Sequence, residues 1–266
     1  MRYCLYKKAW VDMGEPHTEQ RLTTAQMRYM LKQGGLFVRT CYDFDLQDET
    51  SFWWVIKDHF GGMPELSSGV RNLVRRSLAS LDFRKITKEE LCAQGLHVYN
   101  TAVAGYKKAT PKTITQAEFE NMIGNNSHQI EYWAGFLKDS NTMVVYAVNR
   151  VTTDVCYYLS MKAIPAYLTA QYSPFYGLIY VMNEHYLSEK KKKYVCDGAR
   201  SITEHSNIQN YLIQKFHFRK AYCSLQIEYV WWLKVVVMGL YCFRRMISIP
   251  RVQAILNQEA MRRGKM

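Results

Sequence analysis

Between residues 129 and 196 the spacing of apolar side chains changes twice, and that change commits the chain to a mixed sheet. Gln129 to Lys138, Thr142 to Arg150 and Val155 to Lys162 are β-rich runs, joined at Asp139-Ser140-Asn141 and Thr152-Thr153-Asp154, both tight-turn sequences. Connections this short make the three strands an antiparallel meander. After Pro165 the period becomes helical: Phe175, Leu178, Ile179, Met182 and Tyr186 share one stripe, which ends in the lysines 190 to 193, where cations favour a helix C-terminus. Tyr194 to Cys196 follows at once as a strand. Strand, helix and strand in that order form a crossover unit, right-handed, with its two strands parallel.

The flanking sequence fits the same α/β (α+β) class. Residues 1–66 read as a small lobe: strand Tyr3 to Tyr6, a helix capped by Thr23 or Thr24 and running from Ala25 to Lys32, a stop at Gly34-Gly35, then strands Leu36 to Tyr42 and Phe52 to Ile56. Ser67-Ser68 can cap a helix in which Val70, Leu73, Val74, Leu78 and Leu81 recur at helical spacing while Arg71, Arg75 and Arg76 fall elsewhere. Asp82 to Ile86 is a short strand, Thr87-Lys88-Glu89-Glu90 a capping box, and Thr115 to Met122 a further helix. Downstream, Ser206 can cap a helix with Ile208, Tyr211, Leu212 and Phe216 on one face, and Tyr222 to Tyr229 returns as a strand. From residue 129 the order is β-β-β-α-β-α-β. The predicted organisation is an α/β lobe at 1–66, a mixed-sheet domain at 67–230 and a hydrophobic, basic helical tail at 231–266.

The net charge of +12 is uneven, with 15 Lys and Arg against five acids in residues 186–266. Such a face suits an anionic ligand, whether nucleotide, RNA or acidic lipid headgroup, and equally a solvated basic surface. The seven cysteines, at 4, 41, 92, 156, 196, 223 and 242, are odd in number and scattered, with no C-x-x-C pair and no histidine at metal-ligand spacing. They predict reduced thiols, a cytoplasmic location and no metal. Met1 to Leu5 runs into Lys7-Lys8, Asp12 and Glu15, which is no signal-peptide core.

Ligands of open sheets bind beyond the carboxyl ends of parallel strands, where helix N-termini point outward. Here that place has two sides. One runs from Lys162 to Ser173-Pro174, where Ser173 can cap, Pro174 suits the first helical position, and the Tyr176 and Gly177 amides can face an anion. The other is Asp197-Gly198-Ala199-Arg200-Ser201, continuing to His205 and Asn207. Gly198 permits a tight turn, and Asp197 and Arg200 bring charge to a ligand or pair with each other structurally. His205 is a candidate base or a solvated loop histidine.

The late helix from Asn207 to Phe218 and the Arg71-Asn72-Leu73-Val74-Arg75-Arg76 helix with its following strand resemble the GNAT superfamily and its FemAB-like branch, over roughly residues 67–230. That resemblance implies an antiparallel meander, a splayed parallel strand pair and an Asn-bearing helix. It also implies transfer of an acyl or aminoacyl group from an activated thioester or ester, acyl-CoA or a carrier-bound donor, to an amine. Asp197 or His205 would accept the amine proton; Lys162, Ser173, Tyr176, Gly177, Gly198, Arg200, Ser201 and Asn207 would line the donor site. The chain departs from the pattern in three places. The Gln/Arg-x-x-Gly-x-Gly/Ala pyrophosphate loop is missing before the 175–190 helix; Gln214 replaces the acid tyrosine, with Tyr211 one turn earlier; and His217 stands where glycine precedes Phe218. The alternative is a non-catalytic basic module on this fold that binds RNA or an anionic membrane surface.

Tyr229 to Phe243 carries one charge, Lys234, and closes at Arg244-Arg245. Its 15 residues fall short of the roughly 20 that span a bilayer. It is either a buried helix or strand extension, or an interfacial segment with Trp231 and Trp232 at headgroup depth and Arg244, Arg245 and Arg251 meeting acidic lipid. Pro250 then opens a last helix.

Overall fold

The computed structural model describes residues 2–105, 113–124, 129–201 and 207–265. The first part of the chain forms β1 (Tyr3–Tyr6), β2 (Ala9–Asp12), α1 (Thr24–Lys32), β3 (Phe37–Leu46) and β4 (Phe52–Lys57). The middle forms α2 (Ser68–Ser80), β5 (Leu81–Ile86), α3 (Lys88–Ala104), α4 (Gln116–Gly124), β6 (Ile130–Leu137), β7 (Met143–Val151) and β8 (Val155–Ala163). The remainder forms α5 (Pro174–Asn183), β9 (Tyr194–Ala199), α6 (Asn207–Phe216), β10 (Arg219–Tyr229), α7 (Trp231–Tyr241) and α8 (Pro250–Arg262). Two compact units result: Met1–Val55 with Ala199–Asn210 and Arg219–Met266, and Ile56–Gly198 with Tyr211–Phe218.

Local chemistry explains the helix starts. At α1 the Thr23 hydroxyl accepts from Gln26 N–H and the Gln26 side chain accepts from Thr23 N–H, so two otherwise orphaned donors are satisfied. Thr87 and Glu90 do the same for α3. The stop after α1 is Gly34-Gly35, both at positive φ. Ser206, the expected cap of α6, lies outside the described residues.

In the first unit β2 runs parallel to β3, with Ala9 opposite Phe37, and β10 lies antiparallel to β3, from Tyr229–Phe37 to Tyr222–Leu46. β10 thus lies between β3 and β4 among the N-terminal strands. Leu233, Val237 and Tyr241, four residues apart on α7, pack with Ile227 and Tyr229 of β10 and with Leu256 and Ala260 of α8. Tyr229 donates to Glu259, whose carboxylate also receives Arg262 and Arg263, so this buried charge is fully paired.

In the second unit β5 to β8 are consecutive antiparallel neighbours, as the turn sequences require, and β8 pairs with β9 in parallel. Leu91 and Val98 of α3 and Phe119 of α4 pack on Tyr132, Phe136 and Tyr146 of this sheet. α5 continues as a π-helical turn, Glu184–Glu189. Such wide turns occur mostly where a side chain must be re-aimed; here Tyr186 donates to Glu131 at 2.8 Å and accepts from Trp133 at 2.8 Å, beneath Asn149. Lys57, 3% exposed, is held by Glu65 at 2.9 Å. No helix among the described residues is long and apolar enough to cross a membrane.

Candidate functional site

The crossover strands separate. β8 and β9 pair only at Val155–Tyr194, Cys156–Val195 and Tyr157–Cys196, although β8 runs on to Ala163 and β9 to Ala199. The first residues past the last pair are Tyr158 and Asp197, at the mouth of the opening. The Tyr158 hydroxyl donates to Asn183 of α5 at 2.8 Å, and its ring lies 6.3 Å from that of Phe218. Asp197 makes no hydrogen bond or ion pair among the described residues, and burial alone pushes its carboxyl up to about 7. A carboxylate near neutrality at the mouth of a splayed strand pair can take a proton from a weakly acidic nucleophile.

Gly198 has φ +94, a conformation that favours glycine, and its N–H reaches Cys196 Sγ at 3.2 Å. Past it, Arg200 donates to the Ser51 carbonyl at 2.7 Å and its guanidinium stacks 4.1 Å over Trp53, whose ring also carries Lys220 at 4.4 Å. Ser201 is half-buried. Gln209, in the first turn of α6, donates to the Ala199 carbonyl at 3.0 Å and ties the helix to the end of β9. α6 begins at Asn207; its side chain and His205 lie outside the described residues.

The other expected side of the site is built for packing. Ser173 is in the left-handed region, φ 39°, and its hydroxyl turns back to the Thr169 carbonyl at 3.0 Å instead of capping α5. The Tyr176 amide is taken by the Ser173 carbonyl at 2.9 Å. A side chain on Gly177 would strike the Phe83 ring and sit 2.5 Å from Ser77 Oγ, so this glycine serves the close approach of α5 to α2 and β5. Lys162 is half-buried on β8, opposite Tyr146. Pro174 lacks an N–H and the Tyr176 amide is already engaged, so of the two amides expected to face an anion that of Tyr176 is turned to the Ser173 carbonyl instead.

Two features escaped the sequence. Tyr211 of α6 stacks on Tyr176 of α5, ring centroids 5.4 Å apart, with Phe216 completing the cluster, and the Tyr211 hydroxyl is buried without a well-directed partner. In the first unit, Asp12, Glu19, Arg39, Cys41 and Trp54 line a cavity of about 40 Å³, room for roughly three waters. Glu19 receives the Cys41 N–H at 2.9 Å and its thiol at 2.8 Å, yet burial raises its carboxyl to about 7. Residues this far apart in the chain carry no spacing signal; only the alternation along β2 and β3 hints that they share a face.

No protein-family model matches this chain, and no curated protein sequence does. Solved structures do resemble it. The C-terminal domain of a protein described as a lysylphosphatidylglycerol synthetase, from Agrobacterium fabrum, has a TM-score of 0.56 at 11% identity, over 89% of this chain and 83% of that one. L-PGS from Bacillus licheniformis has a TM-score of 0.53 at 9% identity, over 90% and 83%. FemX has a TM-score of 0.50 at 12% identity, over 76% and 66%. Likeness at such identity establishes architecture and leaves chemistry open, and the architecture is GNAT/FemAB-like.

Proposed function

We propose that this chain transfers an acyl or aminoacyl group from an activated ester or thioester to an amine, with Asp197 as general base. The observation that carries the reading is Asp197 itself: unpaired among the described residues, beside the splay of β8 and β9, and titrating near 7. The amine attacks the donor carbonyl, forming the new C–N bond; Asp197 takes the amine proton; the C–O or C–S bond breaks, and the leaving oxygen or sulfur is protonated in turn. Tyr211, whose hydroxyl is buried without a well-directed partner, is a candidate to give that last proton, and Tyr158 a second once it leaves Asn183. No covalent enzyme intermediate is required.

The donor we favour is carrier-bound rather than free acyl-CoA, because the Gln/Arg-x-x-Gly-x-Gly/Ala pyrophosphate pattern is missing before α5 and the Tyr176 amide is engaged by Ser173. A neighbour named for making lysylphosphatidylglycerol, an aminoacyl ester, supports an aminoacyl donor. Lys162, Arg200 and Ser201 remain candidates for holding the donor, and His205 is the second candidate base.

The test is a turnover screen of the whole chain with aminoacyl-tRNA, acylated carrier protein and acyl-CoA as donors and mixed amines as acceptors. Asp197→Asn lowers the rate 10²- to 10⁴-fold on the substrate so found. An Asp197→Asn protein with full turnover removes Asp197 from the mechanism, and full loss in His205→Ala instead moves the base there. A chain that binds bulk RNA or lipid and turns over none of these donors is the non-catalytic module.

A further inference from the structure

We infer that the outer face of α7 is a docking surface for an anionic phospholipid bilayer. α7 is apolar on every side except Lys234, yet only one stripe of it is covered: Leu233, Val237 and Tyr241 are 7%, 3% and 5% exposed. On the opposite arc Trp231 is 79% exposed, Trp232 45%, Val235 66%, Val236 46% and Met238 58%, and Phe243 and Met246 prolong it at 58% and 82%. A helix apolar all round is normally buried all round, and an uncovered arc of this kind marks a partner surface.

Charge selects the partner. From Val230 to Gln258 the chain has Lys234, Arg244, Arg245 and Arg251 and no acid. All four basic residues except half-buried Arg244 are exposed, and Arg244 lies 4.6 Å over the Tyr241 ring with its charge at the end of the helix. Beside Trp231, a groove of about 370 Å³ is lined by Arg28, Lys32 and Lys234 around Leu31, with Arg28 held by Glu228 at 3.3 Å. Apolar side chains at acyl depth, indoles at the headgroups and cations against lipid phosphate form one consistent layer. RNA would use the cations and leave Trp231, Val235, Met238 and Met246 in water. A second copy would have to oppose like charges. The surface lies wholly in the first unit and stands independently of acyl transfer.

The experiment is flotation of the whole chain with vesicles of phosphatidylcholine alone or with 30% phosphatidylglycerol, an amount on the order of that in an acidic membrane. The chain floats with the anionic vesicles, at least tenfold more strongly than with phosphatidylcholine. Arg244→Gln/Arg245→Gln weakens binding about 25-fold, roughly fivefold per cation lost. Trp231→Ser/Trp232→Ser abolishes it, and Trp231→Ser alone weakens it with an unchanged melting temperature, since that side chain is 79% exposed. Flotation untouched by the tryptophan pair, equal binding to both vesicles, retention by RNA but not lipid, or a dimer in solution that the tryptophan pair dissolves would each overturn the assignment.

Discussion

Asp197 should make the protein less stable as the pH rises, and its removal should reverse this. An ordinary aspartate titrates at 3.8, and burial holds this one at about 7. A raised carboxyl is bound more tightly by protons in the folded state, so its contribution is fully favourable below 3.8 and is lost as pH climbs through 7. At about 1.4 kcal/mol per tenfold change in proton affinity, the loss reaches about 4 kcal/mol by pH 8 and is only about 0.5 kcal/mol at pH 4. Partial exposure of the residue lets water screen the charge and brings the expected value at pH 8 to about 2–4 kcal/mol. Asn has nearly the same shape and no charge. Urea melts of wild type and Asp197→Asn at pH 5, 6.5 and 8 should give a gain for the variant that grows steadily across the series, with m unchanged. Glu19, which also titrates near 7, and the seven histidines are common to both proteins and cancel in the difference. A variant less stable than wild type at pH 8, or a gain of the same size at every pH, refutes the picture of a carboxylate raised by desolvation. If the gain appears while turnover is lost, the group is one whose cost in stability is kept for its chemistry.

Two substitutions probe the backbone around the site. Gly177→Ala improves intrinsic helix propensity by about 1 kcal/mol, yet its methyl meets Phe83 and Ser77; a net loss of about 1–3 kcal/mol in urea is expected, and a neutral result would sink the close-packing account. His217 ends α6 at φ 56°, exposed, with Phe218 N–H bonding back to the Leu212 carbonyl. Glycine is at ease in that conformation, so His217→Gly should gain about 0.5–1 kcal/mol, measured the same way, and a loss would mean the imidazole has a role of its own.

What could be read from the sequence depended on how local the cause was. The meander, the crossover helix and the parallel return of Tyr194 to Cys196 follow from turn residues and periodicity within about 70 residues, and they are present. The caps at Thr23 and Thr87 are likewise local chemistry. β2 was missed because Ala9–Asp12 is four residues long with mixed polarity, and the pairing of β10 with β3 was not legible because a contact over nearly 190 residues leaves no trace in either segment. Asp197 was singled out from its place after a strand; that it makes no hydrogen bond or ion pair among the described residues is a three-dimensional fact. Conversely, Ser173 read as a cap because Ser-Pro before a helix is ambiguous between a cap and a turned-back hydroxyl, and here the hydroxyl turns back. The packing of Phe83 against Gly177 decides what the glycine is for, and Phe83 is 94 positions away.

The pairing of β3 with β10 has a consequence for synthesis. Cys41 waits for Leu225, and at 5–20 residues per second a ribosome needs roughly 10–40 s to make the chain between them. Through that interval the β10-facing edge of β3 is bare, while the meander of β5 to β8 is completed within it and is free to fold. Nascent chains halted before Arg219 should therefore shield residues 56–198 from protease and leave 1–55 open to it.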